Sequence, residues 1–470
     1  MKKSLFFGLF ASLAVLISSC TTAPQNEYDY EIKDGVIVYN TPARPADQVC
    51  MIGYADDPIE TLRVGFVGLG MRGPSAVNRF THIDGVEVVA LCDLEADRIA
   101  PVQEMLISKG RAKAAEFSGE DGWKELCQME NLDLVYIATP WKTHTPMSVF
   151  AMENGKHVAV EVPAAVSIDE CWQLVNTAER TKRHCMMLEN CVYDFFELTT
   201  LNMAQQGLFG EIVHAEGAYI HNLDPFWSEY HQNWRSKFNQ QHRGDVYATH
   251  GMGPACQVLN IHRGDKMNVL VSMDTDAFYG KKIAESQGVE NYANGDHTFT
   301  LIRTEKGKTI LIQHNVVTPR PYSREYIVEG TEGFANKYPN RGFAIRTQGR
   351  DVVDTDVDIE NLDGESYVSN EVRDALMAQY QHPITREGTL VETAKCVGGH
   401  GGMDFIMDYR LVYCLRNGLP LDQDVYDAAE WSCLGELSRV SIENGNKPVV
   451  MPDFTRGDWN KQDGLQLAIK

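Results

Sequence analysis

Apolar and polar positions along the chain follow two rhythms. From about residue 61 to 190, short apolar runs alternate with longer amphipathic ones. Leu62-Arg63-Val64-Gly65-Phe66-Val67 predicts a buried strand that runs into Gly68-Leu69-Gly70-Met71-Arg72-Gly73, after which a helix begins. Val86 to Cys92 predicts a second strand ending at Asp93, and Leu132 to Ala138 a third, stopped by Thr139-Pro140. His157 to Val162 and His184 to Leu188 predict the fourth and fifth. Arg98 to Lys109, Thr145 to Glu153 (closed by Gly155) and Ile168 to Arg180 carry helical patterns between them. Such alternation predicts a parallel, doubly wound α/β sheet over residues 61–190. Beyond 190 the rhythm changes. Ile212 to Ile220, Val269 to Met273, His297 to Thr304 and Thr309 to Val316 predict strands of a larger, mostly antiparallel sheet. Met403 to Arg416 returns to a helical pattern, so residues 191–470 read as a second α/β domain.

The first residues belong to neither rhythm. Lys2 and Lys3 precede Leu5 to Ser18, an apolar run too short for the roughly 20 residues of a membrane-spanning helix and suited to a secretory leader. Leu16-Ile17-Ser18-Ser19-Cys20 resembles a bacterial lipobox, which implies cleavage before Cys20 and lipidation of its thiol. Residues 1–20 are then a lipoprotein signal peptide, and 21–60 a tether and N-terminal segment. The expected location is the bacterial cell envelope, with the lipid as the membrane attachment.

Composition narrows the function classes. The 470 residues are 43% apolar and 23% charged, which excludes disordered, collagen-like and coiled-coil chains. Net charge is −22, or −24 once Lys2 and Lys3 are removed, and no basic run appears. A nucleic-acid partner is excluded, because its phosphates need clustered Lys and Arg. Of the 11 cysteines none forms a CxxC pair, so no metal site is expected. Most lie in apolar runs, where a thiol acts as a small buried hydrophobe. A homo-oligomer is compatible with all of this.

The strongest chemical signal is the glycine fingerprint between strand and helix. Gly68 permits the tight turn, Gly70 the approach of a pyrophosphate, and Gly73 close packing of helix on strand. The helix N-terminus offers N–H groups and a positive dipole end to phosphate. Asp93, at the end of the second strand, stands where an acid grips the adenosine ribose hydroxyls and repels a 2′-phosphate, so NAD is the expected cofactor. The pattern is that of a Rossmann domain. Thr139-Pro140-Trp141-Lys142-Thr143-His144 and Glu161-Val162-Pro163 follow later strands and should face the same cleft. His144 reads either as a cleft residue or as a capping or core histidine, and Glu161 either as a cleft residue or as a solvated acid.

The glycine fingerprint, the ATP-x-x-x-H segment and the E-x-P turn, in this order, resemble the Gfo/Idh/MocA family of sugar dehydrogenases. That family usually has Lys between the Glu and the Pro, as part of its hydride-transfer acid/base. Here the position is Val162, which relays no proton. Gly68 to Pro74, Thr249-His250-Gly251-Met252-Gly253-Pro254, Asn260 to Asp265 and Gly398-Gly399-His400-Gly401-Gly402-Met403-Asp404 resemble glycoside hydrolase family 109. The resemblance implies an NAD-dependent α-N-acetylgalactosaminidase acting on a glycan with that sugar at its end. In such an enzyme NAD is held tightly, takes hydride from sugar C3 and returns it after elimination and hydration across C1–C2. The mechanism departs from the two-carboxylate scheme.

The resemblance also implies site residues. Gly68, Gly70, Met71, Arg72, Gly73, Asp93, Trp141, His144, Glu161, Val162 and Asn190 would hold the cofactor. His250, Tyr247 and Tyr193 are the catalytic candidates. His250 is expected near O3 and C2, Tyr247 holding or deprotonating the sugar, and Tyr193 at the leaving group. Tyr219, Arg235 and Tyr326 would join Tyr247 and His250 on the substrate. His400 either closes the pocket or belongs to a glycine-rich turn. Two rival readings stand beside this one. A plain NAD-dependent sugar dehydrogenase needs a free cofactor pool that an exported lipoprotein lacks. A non-catalytic sugar-binding lipoprotein needs none.

Overall fold

The computed structural model describes residues 29–226, 234–350, 362–386, 388 and 390–469. The leader and Cys20 lie outside them. Sixteen strands are formed among the described residues: β1 (Tyr30–Lys33), β2 (Val36–Tyr39), β3 (Leu62–Val67), β4 (Val86–Asp93), β5 (Ala115–Ser118), β6 (Leu134–Ile137), β7 (His157–Val160), β8 (Cys185–Met187), β9 (Ile212–Ile220), β10 (Met267–Asp274), β11 (Thr298–Thr304), β12 (Thr309–Asn315), β13 (Tyr326–Gly330), β14 (Gly333–Asn336), β15 (Gly342–Ile345) and β16 (Val449–Val450). No described helix is long and apolar enough to cross a membrane.

The first sheet is parallel throughout, in the order β5-β4-β3-β6-β7-β8. Its central strands β6 and β7 are buried at every position, as helices on both faces require. The doubly wound expectation therefore holds, with one strand more than the apolar runs indicated. β5 is an edge strand that is mostly exposed, so it carries no apolar run to betray it.

The second sheet has ten strands, in the order β1-β2-β16-β10-β11-β12-β9-β13-β14-β15. Its pairs are antiparallel except β9 with β12 and β2 with β16. β11 alternates buried and exposed residues along its whole length, the mark of a sheet with one covered face. The segment expected to be a tether ends in the β1–β2 hairpin, which joins the edge of this sheet through β16.

The C-terminal helices return to the nucleotide sheet. The helix Met403–Asn417 packs on β3 and on the helix Gly73–Phe80, and Val425–Ser432 packs on β8 and on the helix Ile168–Thr181. Arg79 and Asp408, both almost fully buried, pair at 2.6 Å across the first of these contacts. Near the second, His262 Nδ1 lies 2.7 Å from Glu430, and Arg263 pairs with Asp427 at 2.7 Å. Burial and Arg263 oppose protonation of His262, but Glu430, Asp427 and Asp424 outweigh them and lift it to about 10. The ten described cysteines are all free thiols, and eight of them are buried.

Candidate active site

Two glycines bring the site together. A Cβ on Gly217, in β9, would lie 2.4 Å from the carbonyl oxygen of Gly251, and one on Gly251 would lie 2.8 Å from the amide of Ala218. Without side chains at either position the helix Thr249–Val258 presses directly on β9. That contact sets His250 beside Tyr219, with ring centroids 5.4 Å apart. Tyr247 completes the group, 4.8 Å from Tyr219 and 5.0 Å from His250.

These rings form one wall of a cleft of about 1540 Å³ between the two sheets. Most small-ligand sites are about 300–1,000 Å³, so there is room for a dinucleotide and a sugar together. Gly68, Gly70, Met71, Arg72, Asp93, Trp141, His144, Glu161, Val162 and Asn190 all line it, as do Tyr219, Arg235, Tyr247 and His250.

The nucleotide half fits its expected occupant. A Cβ on Gly73 would stand 2.0 Å from the oxygen of Gly68, whereas one on Gly70 would meet nothing nearer than an Arg98 nitrogen at 3.8 Å. Gly73 thus serves helix packing, and Gly70 leaves its backbone open to a ligand. The helix that starts at Gly73 has no side-chain cap, so its first N–H groups remain available to phosphate. Asp93 accepts the Leu69 N–H at 2.6 Å and the Glu95 N–H at 3.0 Å. It braces the glycine turn, and a carboxylate's four lone-pair sites still leave capacity for a ribose hydroxyl. His144 is buried, with its ring nitrogens 2.7 Å from the carbonyl oxygens of Pro163 and Thr139. Burial lowers its pKa, and its visible role is to tie the two strand-end turns together.

The other half of the cleft is organised by two histidine–carboxylate pairs. His250 Nδ1 lies 2.8 and 2.9 Å from the two oxygens of Glu189, which also accepts the Cys191 N–H at 2.9 Å. Burial, helped by the charge of Arg324, pulls His250 down to about 4 against the pull of Glu189. Burial pushes Glu189 the other way, but His250 and the Cys191 amide hold it below the usual carboxylate range. A neutral imidazole donating Nδ1–H to a carboxylate presents Nε2 as a lone pair.

The second pair sits on the glycine-rich loop. His400 Nδ1 lies 3.0 Å from Asp404, which also accepts Asn190 Nδ2 at 2.6 Å and Arg72 Nη2 at 3.0 Å. Burial would raise the Asp404 carboxyl, yet His400, Arg72 and Arg79 hold it well below its usual range. Glu161, 3.6 Å from Arg72, is pushed up by burial. His400 lines the cleft and its side chain is 36% exposed, in contrast to the buried His250.

Two expected residues lie elsewhere. Tyr193 is buried and donates its hydroxyl to Asp422, itself paired with Arg410 at 2.7 Å, so it does not reach the cleft. Tyr326 is buried against Phe196 beneath the sheet and does not line the cleft either. Ser323 bridges Ile220 and extends the β13 register backwards, so Tyr322, Arg324 and Tyr326 share a face. Four residues of strand, about 13 Å, separate Tyr326 from Tyr322, which does line the cleft. Glu189, His221, Tyr322, Arg324 and Asp404 are the contributors that sequence reasoning missed.

Tyr247 stacks on Trp141 with ring centroids 5.2 Å apart, and the Arg235 guanidinium lies 5.2 Å from its ring. Burial raises the Tyr247 pKa, against the pull of Arg235, so the phenol keeps its proton. On the far side of this segment Asp245 is fully buried, and neither carboxyl oxygen has a hydrogen-bond partner among the described residues. Burial lifts it to about 7.

Comparison with known proteins agrees with both halves. Residues 62–189 match the oxidoreductase family with NAD-binding Rossmann fold, and residues 193–461 match the glycosyl hydrolase 109 C-terminal domain. The chain is 58% identical to glycosyl hydrolase family 109 protein 1 of Bacteroides thetaiotaomicron, over 99% of each chain. It is 57% identical to the glycosyl hydrolase family 109 protein of Porphyromonas gingivalis, over 98% of this chain and 99% of that one. Levoglucosan dehydrogenase in complex with NADH shares the fold, at a TM-score of 0.61 and 16% identity over 84% of this chain and all of that one. Apo scyllo-inositol dehydrogenase from Lactobacillus casei does likewise, at 0.58 and 14% over 84% of this chain and 99% of that one. The chain belongs to glycosyl hydrolase family 109, built on an NAD-binding Rossmann fold.

Proposed function

We propose that the protein cleaves terminal α-N-acetylgalactosamine from glycans with a retained NAD. One observation carries this reading. Among the described residues, the cleft around His250 is lined by Tyr219, His221, Arg235, Tyr247, Tyr322, Arg324 and His400, and the one carboxylate beside them in the lining is Glu161, which lies 3.6 Å from Arg72, so a facing pair of carboxylates is lacking there. The common glycosidase scheme needs two carboxyl groups flanking the bond, about 5–9.5 Å apart, around a cationic transition state. A cationic, hydroxyl-rich wall suits the opposite charge, the anion formed when a proton is taken from carbon beside a carbonyl. The family resemblance supplies the sugar.

Bound NAD supplies reversible hydride acceptance at sugar C3, which makes the C2 proton acidic and leaves no net oxidation. The chain's residues supply the rest. His250 Nε2 removes the C2 proton, and Glu189 holds the imidazole in the tautomer that permits it. Tyr219, whose hydroxyl lies 3.0 Å from His221 Nδ1, passes the O3 proton to that imidazole as the hydride leaves C3 and returns it on reduction, and Tyr247 donates a hydroxyl hydrogen bond that orients the ring. His400, backed by Asp404 and closer to solvent, protonates the departing oxygen. Val162 keeps an apolar surface at the position where a lysine serves the dehydrogenases. A self-contained cycle of this kind suits export on a lipid anchor at Cys20, away from a free NAD pool.

The test is hydrolysis of an aryl α-N-acetylgalactosaminide by purified protein with no added cofactor. NAD should be released on denaturation in near-stoichiometric amount, and His250→Ala should keep the NAD and lose cleavage. Turnover that depends on added NAD and accumulates NADH would instead favour the dehydrogenase reading.

A further inference from the structure

Arg324 is buried, 7% exposed, yet it lines the sugar half of the cleft. No carboxylate lies within ion-pair distance of it among the described residues. Its Nη1 donates to the Cys191 sulfur at 3.2 Å, and its Nε has no hydrogen-bond partner there. Burial raises the Cys191 thiol well above its usual range, so that sulfur stays neutral and gives the cation little compensation. Every other strongly buried arginine near the site is paired: Arg79 with Asp408 at 2.6 Å, and Arg410 with Asp422 at 2.7 Å. The Glu189 carboxylate acts on it only through space and is already bonded to His250, so the guanidinium keeps unmet donors among its five, and unmet buried donors are costly. The backbone holds it firmly, since Ser323 and Ile220 exchange both hydrogen bonds at 2.9 Å. Its charge reaches His250, where it opposes protonation.

We propose that Arg324 is a further catalytic residue, which donates N–H to the sugar O3 and stabilises the anion formed there when the C2 proton leaves. The inference rests on the reading of the function given above. His250 Nε2 takes the C2 proton, the C2–H electron pair becomes the C2=C3 bond, and the C3=O π pair moves onto O3. Arg324 meets that charge. The O3 pair then re-forms C3=O, the C2=C3 pair shifts to C1=C2, and the C1–O bond breaks. Its electrons leave on the aglycone oxygen, which takes a proton from His400. O3 is two bonds from C2, the carbon His250 deprotonates, so a cation beside His250 is correctly placed. Arg235 plays a different part, because its guanidinium lies 5.2–5.4 Å from the rings of Tyr247, Trp234 and Trp141.

The experiment uses NAD-containing enzyme in heavy water with an aryl α-N-acetylgalactosaminide and follows deuterium entering C2. Arg324→Gln should slow that exchange by about 10²–10³, the usual loss on removing one oxyanion donor. It should raise the isotope effect on 2-deuterated substrate and leave the bound NAD content unchanged. Arg324→Lys keeps the charge without the fork and should recover at least about ten-fold of the loss. Should the Gln variant fail to fold, a Lys variant slower than wild type in exchange carries the same test. Variants that exchange at the wild-type rate and differ only in KM would overturn the proposal while leaving the function standing. Wild-type enzyme that hydrolyses without any C2 exchange would overturn both.

Discussion

The three glycines of the nucleotide turn should respond to alanine in different ways. At Gly73 the added Cβ would sit 2.0 Å from the Gly68 oxygen, a backbone atom that moves only with the turn itself. At Gly68 it would sit 2.6 Å from the Ala138 oxygen, on a backbone with φ of +94°. Overpacking of this kind costs about 1–3 kcal/mol, and the left-handed conformation adds about 1–2 kcal/mol at Gly68. At Gly70 the nearest atom is the far end of the Arg98 side chain at 3.8 Å, so the fold loses almost nothing. What Gly70→Ala loses is the close approach of the pyrophosphate, worth more than about ten-fold in affinity, or about 1.4 kcal/mol. With an unfolding entropy of about 2.1 cal/mol/K per residue, each kcal/mol moves the Tm of a chain this long by about 1 °C. Thermal unfolding of nucleotide-stripped protein should therefore show Gly73→Ala down by about 1–3 °C and Gly70→Ala within about 1 °C of wild type. Nucleotide released on denaturation should fall sharply for Gly70→Ala. Full retention of NAD by Gly70→Ala, or destabilisation equal to that of Gly73→Ala, would refute the division of labour.

Other expectations follow from single residues. Tyr322→Phe should raise KM for the aryl glycoside, whereas Tyr326→Phe should leave cleavage kinetics unchanged. The pH profile of kcat/KM should show an acid limb near 4, where His250 protonates and stops acting as a base. Glu189→Gln should cost about 10⁴ in kcat, as in other histidine dyads that lose the anion fixing their tautomer, with bound NAD unchanged. Asp245 is raised from 3.8 to about 7, so its contribution to stability is complete below pH 4 and is lost as pH rises through 7, by up to about 4 kcal/mol. Asp245→Asn should remove that decline in urea unfolding. His262 is raised from 6.5 to about 10, so its contribution persists below pH 6.5 and is lost as pH rises through 10; His262→Gln should flatten stability over that range.

The parts legible in the sequence are those with a local signature. β3, its glycine turn and the following helix announce themselves through an apolar run and fixed spacings, and β9, β11 and β12 through short runs of apolar and β-branched residues, although in β11 the buried face carries Thr298, Thr300 and Thr304 while Phe299 and Leu301 are exposed. β5 was invisible because an exposed edge strand lacks an apolar face. β13 to β15 are short and sit among turn residues. In the cleft, His250 and Tyr247 stand out in the sequence because their motif is contiguous, and both line it. Glu189 and Asp404 were missed as partners because they meet their histidines only after β8 and the C-terminal helix return to the cleft. Tyr326, expected on the substrate, does not line the cleft, and Tyr322 does, for a plain reason. Both occupy the same face of one strand register, and only tertiary packing under Phe196 decides which one the cleft receives. Tyr193 was drawn elsewhere by Asp422, a partner more than two hundred residues away. Arg324 carries no motif, and its unusual feature, burial without a carboxylate, exists only in three dimensions.

The central claim is that hydrolysis proceeds through removal of the sugar's C2 proton on a retained NAD. The most direct measurement is the isotopic content of N-acetylgalactosamine released in heavy water, with no cofactor added. The account predicts deuterium at C2 of the product and no net accumulation of NADH. Hydrolysis at full rate with C2 still carrying its original proton would contradict it.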